Sequence, residues 1–212
     1  MQKKQINLFL ACGLLIFPWL VFGVFYAGSL IPGFDHANQF MSELGANGSV
    51  TERFSPKLNN YPVGILFIAF GYGIFKNYHS YKLRHLASML FILHGFGSIG
   101  AGFFSCDLGC PIVGGSLEQN LHTLSGILMF GSLSLACLLW SFPSFELSDN
   151  PVFSKYSFAC FLAASVCLLI SLLAYWFGSY AGFFERLSYG ILCTWLFVLS
   201  IKLIFVSDVI ER

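Results

Sequence analysis

The sequence predicts an all-α integral membrane protein, built as a bundle of six transmembrane helices with both termini cytoplasmic. Of the 212 residues, 57% are hydrophobic and only 10% are charged, and the mean hydropathy is +0.75. Such a chain cannot present an ordinary water-facing surface. The apolar residues fall into six runs near the roughly 20 residues that a helix needs to cross about 30 Å of hydrocarbon. The runs are continuous blocks of Leu, Phe, Ile, Ala and Gly, which favours helices over strands of alternating polarity.

These runs leave room for a single transmembrane domain that covers residues 1–212. The first run follows two lysines, but it is too long for the apolar core of a signal peptide and no small-residue cleavage site follows it. We therefore expect it to be retained as a helix, which Pro18 should kink. Pro62 is expected in the first turn of the second helix, where a missing N–H costs little. The predicted spans are residues 6–30, 61–75, 83–104, 121–140, 156–177 and 185–205.

Lys and Arg residues are concentrated at one end of the predicted helices. Cationic loops stay in the cytoplasm, so this asymmetry predicts cytoplasmic termini and places residues 31–60 and 105–120 outside. In a bacterium the membrane would be the inner, cytoplasmic one. With Lys202 reaching back to the interface, the cytoplasmic side holds Lys3, Lys4, Lys76, Lys82, Arg84, Lys155, Lys202 and Arg212, and the outer side holds Arg53, Lys57 and Arg186.

Acidic, imidazole and guanidinium side chains gather on the predicted outer face. Such groups at one membrane face either carry out acid/base chemistry and bind a charged headgroup, or are polar only because the loops are wet. Arg186 at a helix N-terminus opposes the helix dipole, so we expect it to have a partner, such as Glu43, Asp107 or a phosphate headgroup, unless it extends to the interface. The candidates are Asp35, His36, Ser42, Glu43, Asp107, His122, Glu185 and Arg186.

His94 lies near the middle of the predicted third helix. A polar ring facing lipid there is costly, so His94 should face the bundle. Ser98, Ala101 and Gly102 follow on the same helical stripe and form a small, polar track that leads towards Asp107. This track either lines an outward-opening cavity that binds substrate, or accompanies a histidine that is hydrogen-bonded to a neighbouring helix.

Asp107 and His122 are separated by one predicted loop. A carboxylate that orients a histidine is a general-base pair, although two residues alone are a weak signal. No two histidines have the HExxH spacing or another tight ligand spacing, so we do not predict a metal site. The sequence identifies no cofactor.

Cys106 and Cys110 flank Asp107 on the predicted outer side. An oxidising compartment there and a tight turn at Gly109 predict a disulfide between them. On the cytoplasmic side the same spacing would indicate a redox pair or a metal pair instead. The remaining cysteines lie inside apolar runs and are expected to be packing residues.

Four segments of the sequence resemble the domain-of-unknown-function 998 family of bacterial and archaeal membrane proteins, which typically have six helices. They are Phe40-Met41-Ser42-Glu43-Leu44-Gly45-Ala46, Gly102-Phe103-Phe104-Ser105-Cys106-Asp107 with Cys110-Pro111, His122, and Gly182-Phe183-Phe184-Glu185-Arg186. The resemblance covers essentially the whole chain and implies the six-helix architecture, but no activity. The Ser-Glu-Leu-Gly segment is also loosely similar to a loop of the Frag/DRAM/Sfk membrane proteins, some of which are linked to lipid-anchor remodelling.

Three functions are consistent with these residues. The first is an outward-facing polar pocket that binds or modifies a lipid-like amphiphile, with Asp107 orienting His122 as general base, Ser42 or water as nucleophile, Glu43 as a second acid/base group, and Arg186 holding an anionic headgroup. The second is a structural or accessory subunit locked by a buried polar network. The third is a carrier of small solutes or protons that uses His94.

Partners are predicted only in outline. Membrane lipids and a lipid-like ligand are expected, whereas the net charge of +1 and the lack of a basic run argue against nucleic acid. The sequence does not indicate an oligomeric state.

Overall fold

The computed structural model describes residues 2–77, 82–142 and 151–209, and within them it contains helices and no strand. Arg212 and the side chains of Lys3, Lys4 and Lys82, which enter the charge distribution above, lie outside the described part. The helices are α1 (Gln2–Ser29), α2 (Ser55–Leu58), α3 (Asn60–Asn77), α4 (Lys82–Phe103), α5 (Leu117–Leu139), α6 (Val152–Phe177) and α7 (Ala181–Val209), with a 3-10 turn at Met41–Gly45.

Six segments of the described chain are long and apolar enough to cross a membrane, with α2 and α3 forming one of them. The predicted all-α, six-span architecture is thus confirmed, and the protein is a multi-pass membrane protein. The helices form a ring in the order α1, α3, α4, α5, α6, α7, because each packs against the next and α7 closes onto α1. α7 also contacts α5 across the ring.

Four helices, α1, α5, α6 and α7, begin about one turn earlier than the sequence indicated. α5 begins at Leu117 because the Ser116 side chain caps it by accepting the Gln119 N–H. α6 ends at Phe177, its C-cap Gly178 adopts the left-handed conformation at φ 74°, and α7 begins at Ala181. His122, Glu185 and Arg186 therefore lie in the second turn of their helices and not at the N-termini.

The core fills the middle of the ring with large apolar side chains. Phe67, Phe70, Phe91 and Trp195 are fully buried, and stacking of Phe91 on Trp195 joins α4 to α7. In contrast, Leu, Phe and Val side chains are exposed around the outside of the helices, as expected for a lipid-facing surface.

α3 and α4 approach each other backbone to backbone. A β-carbon added at Gly64 would lie 2.7 Å from the Gly95 carbonyl oxygen, and one added at Gly95 would lie 2.5 Å from the Gly64 carbonyl oxygen. Both distances are too short for a real side chain, so only glycine fits at this crossing.

The connections 30–54, 104–116 and 178–180 meet at one end of the bundle, which we call the loop end. The Asn38 side chain accepts the Tyr180 N–H at 2.7 Å, and the Asn47 N–H donates to the Cys106 carbonyl at 2.8 Å. All candidate residues except His94 lie at or near this end, which the charge distribution predicts to be the outer one.

Candidate functional site

Glu43 stabilises the 3-10 turn in which it lies. One carboxylate oxygen accepts the Phe40 N–H at 2.8 Å, and the other accepts the Gln39 side-chain amide at 2.8 Å. The carboxylate thus caps its own turn, much as a capping glutamate does at a helix start. Both of its oxygens are already engaged, which leaves Glu43 poorly placed as the acid/base group that the sequence suggested.

The segment 37–41 is hydrogen-bonded to the start of α7, and we call this contact the clamp. The Phe183 N–H donates to the Ala37 carbonyl at 2.8 Å, and a β-carbon at Gly182 would overlap the Gln39 carbonyl oxygen. In the second turn, Arg186 Nη1 donates to the carbonyls of Gln39 at 2.7 Å and Gly182 at 2.9 Å. The loop thereby satisfies backbone groups at the start of α7 that its own helix leaves unpaired.

Arg186 has hydrogen-bond partners other than those proposed, although Glu43, one of the proposed partners, interacts with its charge. Its hydrogen bonds go to backbone carbonyls, while its charge interacts with Glu185 and Glu43. The guanidinium carbon also lies 5.9 Å from the centre of the Phe34 ring. The side chain borders an apolar groove of about 540 Å³ between α1, α6 and α7. Its Nε and Nη2 atoms are buried and donate no hydrogen bond to the described residues.

Asp35 and His36 shape the start of the clamp. The Asp35 carboxylate accepts the Ala37 N–H at 2.9 Å and the Asn38 amide at 2.5 Å, and these hydrogen bonds, the Asn38 one foremost, lower the pKa of Asp35. His36 packs between Phe25 and Phe34, and burial lowers the pKa of its imidazole. Neither residue lines the cavity described below, so their predicted contact with substrate stays a prediction without geometric support.

Asp107 organises the loop between α4 and α5. Its carboxylate accepts the Ser116 N–H at 2.7 Å and the Ser116 hydroxyl at 2.8 Å, and these bonds lower the pKa of Asp107. Its own N–H donates to the Gln119 side chain at 2.9 Å. Asp107 therefore holds the residue that caps α5.

The predicted pairing of Asp107 with His122 is not formed. His122 Nδ1 lies 2.7 Å from the Phe104 carbonyl oxygen, and the Asp107 oxygens are taken by Ser116. The early start of α5 explains the difference, because it moves His122 one turn below the loop that Asp107 occupies. Since a carbonyl can only accept, His122 carries its proton on Nδ1, and Nε2 has no hydrogen-bond partner among the described residues.

Cys106 and Cys110 are neighbours in the same loop, with Cα atoms 5.1 Å apart and sulfur atoms at bonding distance. Cys106 Sγ also lies 3.5 Å from the Ser42 carbonyl oxygen, which connects the loop to the 3-10 turn. The disulfide in the native membrane remains a prediction, which mass spectrometry of non-reduced protein would test.

His94 is fully buried and bonded at both nitrogens. Nδ1 lies 2.8 Å from the Met129 carbonyl oxygen and Nε2 lies 2.8 Å from the Tyr189 hydroxyl, so the ring links α4 to α5 and α7. Phe67 covers it at a centroid distance of 3.8 Å. With no free nitrogen and no place on the cavity wall, His94 fits the interhelical hydrogen-bonding alternative. Of its stripe, Ser98 and Ala101 do line the cavity.

A cavity of about 580 Å³ opens below the 3-10 turn, inside the ring of helices. Its lower wall is apolar and comes from α1, α3, α5 and α6. Its polar side chains lie mainly near the loop end, where the 3-10 turn and residues 110–112 cover it. The polar lining residues are Ser42, Ser55, Asn59, Asn60, Ser98, Gln119, His122, Thr123, Ser171, Glu185 and Tyr189.

The structure thus separates the candidate residues into two groups. Ser42, His122 and Glu185 share the cavity wall, whereas Glu43, Arg186 and Asp107 support the loops around it. Among the described side chains, no three His, Cys, Asp or Glu residues lie close enough to share a metal ion.

Sequence reasoning missed several polar members of the site, and for two of them the sequence carried a usable signal. Gln119 is buried, accepts the Asp107 N–H and donates to the Pro111 carbonyl and the Thr123 hydroxyl. The Ser-x-x-Gln pattern at 116–119 is a helix-start signature that would have indicated it. Tyr189 follows Glu185 by four residues, and this spacing on one helix face would have placed both on the same wall.

Comparison with known proteins agrees with this architecture. The family model described as "Protein of unknown function (DUF998)" matches residues 14–202, which include all six spans in whole or in large part. No curated protein and no solved structure matches the chain. Because the family match covers most of the sequence and the motifs that suggested it build the clamp and the cavity roof, the chain belongs to the DUF998 family.

Proposed function

We propose that this multi-pass membrane protein binds a lipid-like amphiphile in the cavity below the 3-10 turn. The apolar part of the ligand would lie among the helices, and its polar end would face His122 and Glu185. The observation that supports this function is the distribution of polarity along the cavity wall.

The cavity combines two surfaces that suit an amphiphile. Leu20, Val63, Phe130 and Leu168 contribute apolar wall from four different helices, whereas the polar side chains lie mainly near the loop end. A volume of about 580 Å³ is in the range of small-molecule sites, which are generally apolar with a few converging polar groups. In a membrane protein such a cavity can be filled from the surrounding lipid.

We propose binding and not a chemical reaction. Ser42, the predicted nucleophile, makes no side-chain hydrogen bond to His122, and Asp107 does not orient that histidine. The base and nucleophile that the mechanism required are therefore not assembled in this structure.

A structural role accounts for the other candidate residues. Glu43, Asp107 and Arg186 bind backbone groups of the loops, as expected of a polar network that locks the bundle. This second function explains the clamp but not the cavity, whose wall retains unpaired acceptor atoms.

Filling the cavity tests the proposal. Apart from chain neighbours and the backbone of its own helix, no atom of the described chain lies within 4 Å of a β-carbon built at Gly126 or at Gly190. Gly126 lines the cavity, whereas Gly190 lines the groove bordered by Arg186 and not the cavity. Gly126→Leu should therefore occupy the cavity without a backbone clash, and Gly190→Leu is its matched control on another helix.

Lipids that copurify with the wild type and both variants would be extracted and quantified by mass spectrometry. We expect an amphiphile that is retained by the wild type and by Gly190→Leu but depleted in Gly126→Leu. Identical lipid profiles in all three proteins would contradict the proposal, because lipids that merely surround the bundle do not depend on its interior.

A further inference from the structure

We propose that the cavity selects an amphiphile whose headgroup carries a positively charged hydrogen-bond donor, of the primary ammonium type. This inference rests on the proposed binding function and adds the chemistry of the headgroup to it. It reverses the expectation from the sequence that Arg186 holds an anionic headgroup.

The charges on the cavity wall have one sign. Glu185 is the only acidic or basic residue apart from histidine that lines the cavity, and no Lys or Arg of the described chain does so. A cavity of this composition, enclosed by low-dielectric walls, favours a cation and disfavours an anion.

Glu185 has one acceptor atom available. Its Oε2 accepts the Met41 N–H at 2.7 Å, which fixes the carboxylate against the 3-10 turn. The other oxygen, Oε1, accepts no hydrogen bond from the described residues and is not fully buried. It can therefore accept a hydrogen bond from a molecule in the cavity.

His122 presents a second acceptor on the cavity wall. Because Nδ1 donates to the Phe104 carbonyl, Nε2 holds a lone pair and no proton. Glu185 on α7 and His122 on α5 thus offer acceptors, and a headgroup rich in donors complements both.

The neighbouring guanidinium does not cancel this preference. Arg186 is adjacent to Glu185 in sequence, so it points to a different side of α7, where it donates to the Gln39 and Gly182 carbonyls. Its charge interacts with both Glu185 and Glu43. Asp35 interacts with the same guanidinium, so that with Glu185, Glu43 and Asp35 ionised the carboxylates outnumber the cation. A cation bound beside Glu185 would offset this excess in a low-dielectric site.

The test compares three probes with the same twelve-carbon chain, namely dodecylamine, 1-dodecanol and dodecanoate. Their apparent affinities would be measured at pH 7 in a non-ionic detergent, from the concentration dependence of the melting midpoint. Subtracting the response of Gly126→Leu removes effects of the micelle. We expect dodecylamine to bind about tenfold more tightly than 1-dodecanol, the difference that one charge-assisted hydrogen bond provides, and dodecanoate to bind least.

Glu185→Gln sharpens the test. The amide oxygen can still accept the Met41 N–H, while the NH₂ group turns a donor towards the cavity. We expect the preference for dodecylamine over 1-dodecanol to fall about tenfold, because the ammonium loses its charged acceptor and meets a donor instead.

The possible outcomes distinguish a failure of the headgroup inference from a failure of the proposed amphiphile binding. Cavity-dependent binding in which dodecanoate equals or exceeds dodecylamine would overturn the headgroup inference and leave amphiphile binding intact. If none of the three probes shows a response that Gly126→Leu removes, both fail. The ranking in the wild type is decisive even if Glu185→Gln cannot be purified.

Discussion

The clamp and the cavity wall use the same kinds of side chain in opposite ways. Around the clamp, Glu43 accepts the Phe40 N–H and the Gln39 side-chain amide, and Arg186 Nη1 donates to two backbone carbonyls. On the cavity wall, Glu185 and His122 each use one polar atom for the protein and leave another without a partner. The contrast teaches that charge alone does not mark a ligand site, and that unused acceptors on the cavity wall and the unused, buried donors of Arg186 beside the groove have to be considered separately.

The largest expected effect is in a labelling experiment that shows on which side of the membrane the clamp and the cavity roof lie. Val50 at the loop end is 73% exposed and Phe142 at the opposite end is 49% exposed, so a cysteine at either position is accessible to a reagent on its own side. A membrane-impermeant thiol reagent added outside intact cells should label Val50→Cys and not Phe142→Cys.

The unmodified chain, labelled in parallel, gives the background from its native cysteines. Labelling of Phe142→Cys alone would place the clamp and the cavity roof in the cytoplasm. The prediction of an oxidised Cys106–Cys110 pair would then lose its basis.

Arg186→Ala tests whether the clamp is structural. The change leaves the Gln39 and Gly182 carbonyls without their donor and removes the cation near Glu43 and Glu185. We expect the free energy of unfolding in detergent to fall by about 3 kcal/mol. The exposed Arg53 is the matched control, and Arg53→Ala should change this free energy by less than about 0.5 kcal/mol. Equal effects of the two substitutions would contradict the structural role of the clamp.

The smallest effect is a pH dependence at Asp107. Its pKa is lowered in the folded protein, so its hydrogen bonds to Ser116 stabilise the fold above the ordinary carboxyl pKa of about 3.9 and are lost as the pH falls through the lowered value. The melting midpoint of Asp107→Asn should therefore lie below that of the wild type by a constant amount near neutral pH, and the difference should shrink below about pH 4.

Ser116→Ala provides the check, because it removes the hydroxyl that donates to Asp107 and keeps the backbone N–H that also does so. It removes the α5 cap as well, so a constant difference from the wild type should remain while the part that depends on Asp107 shrinks over the same acidic range. A difference that persists unchanged at acidic pH would mean that Asp107 acts through something other than its charge.

The number of spans could be predicted because an apolar run of about twenty residues has few alternatives in a bilayer. The helix starts could not be read from the apolar runs alone. Leu117 and Ala181 begin helices before the apolar runs do, since capping by Ser116 and the turn after Gly178 decide these positions. The apolar runs carry no information on such local hydrogen bonds, whereas the Ser-x-x-Gln pattern at 116–119 does mark a helix start.

The site was only partly predictable for a related reason. The sequence located polar residues at the loop end, but it could not tell which of them the backbone would engage. Asp107 hydrogen-bonds Ser116 and not His122, and Arg186 Nη1 donates to two backbone carbonyls, because loop carbonyls and N–H groups compete for every nearby side chain. His122 and Glu185 were candidates from the sequence, but the cavity wall that they share was not visible in it.

The glycine crossing of α3 and α4 has a mechanical consequence. Because Gly64 and Gly95 meet without intervening side chains, these two helices cannot be pressed closer, and sliding them would drive a carbonyl oxygen against a neighbouring backbone. The α3–α4 pair therefore forms a rigid part of the cavity wall. Any widening that admits a bulky molecule has to come from the other helices that line the cavity, among them α5 and α6, where Ile127 and Leu172 line the cavity and are also exposed on the outside of the bundle.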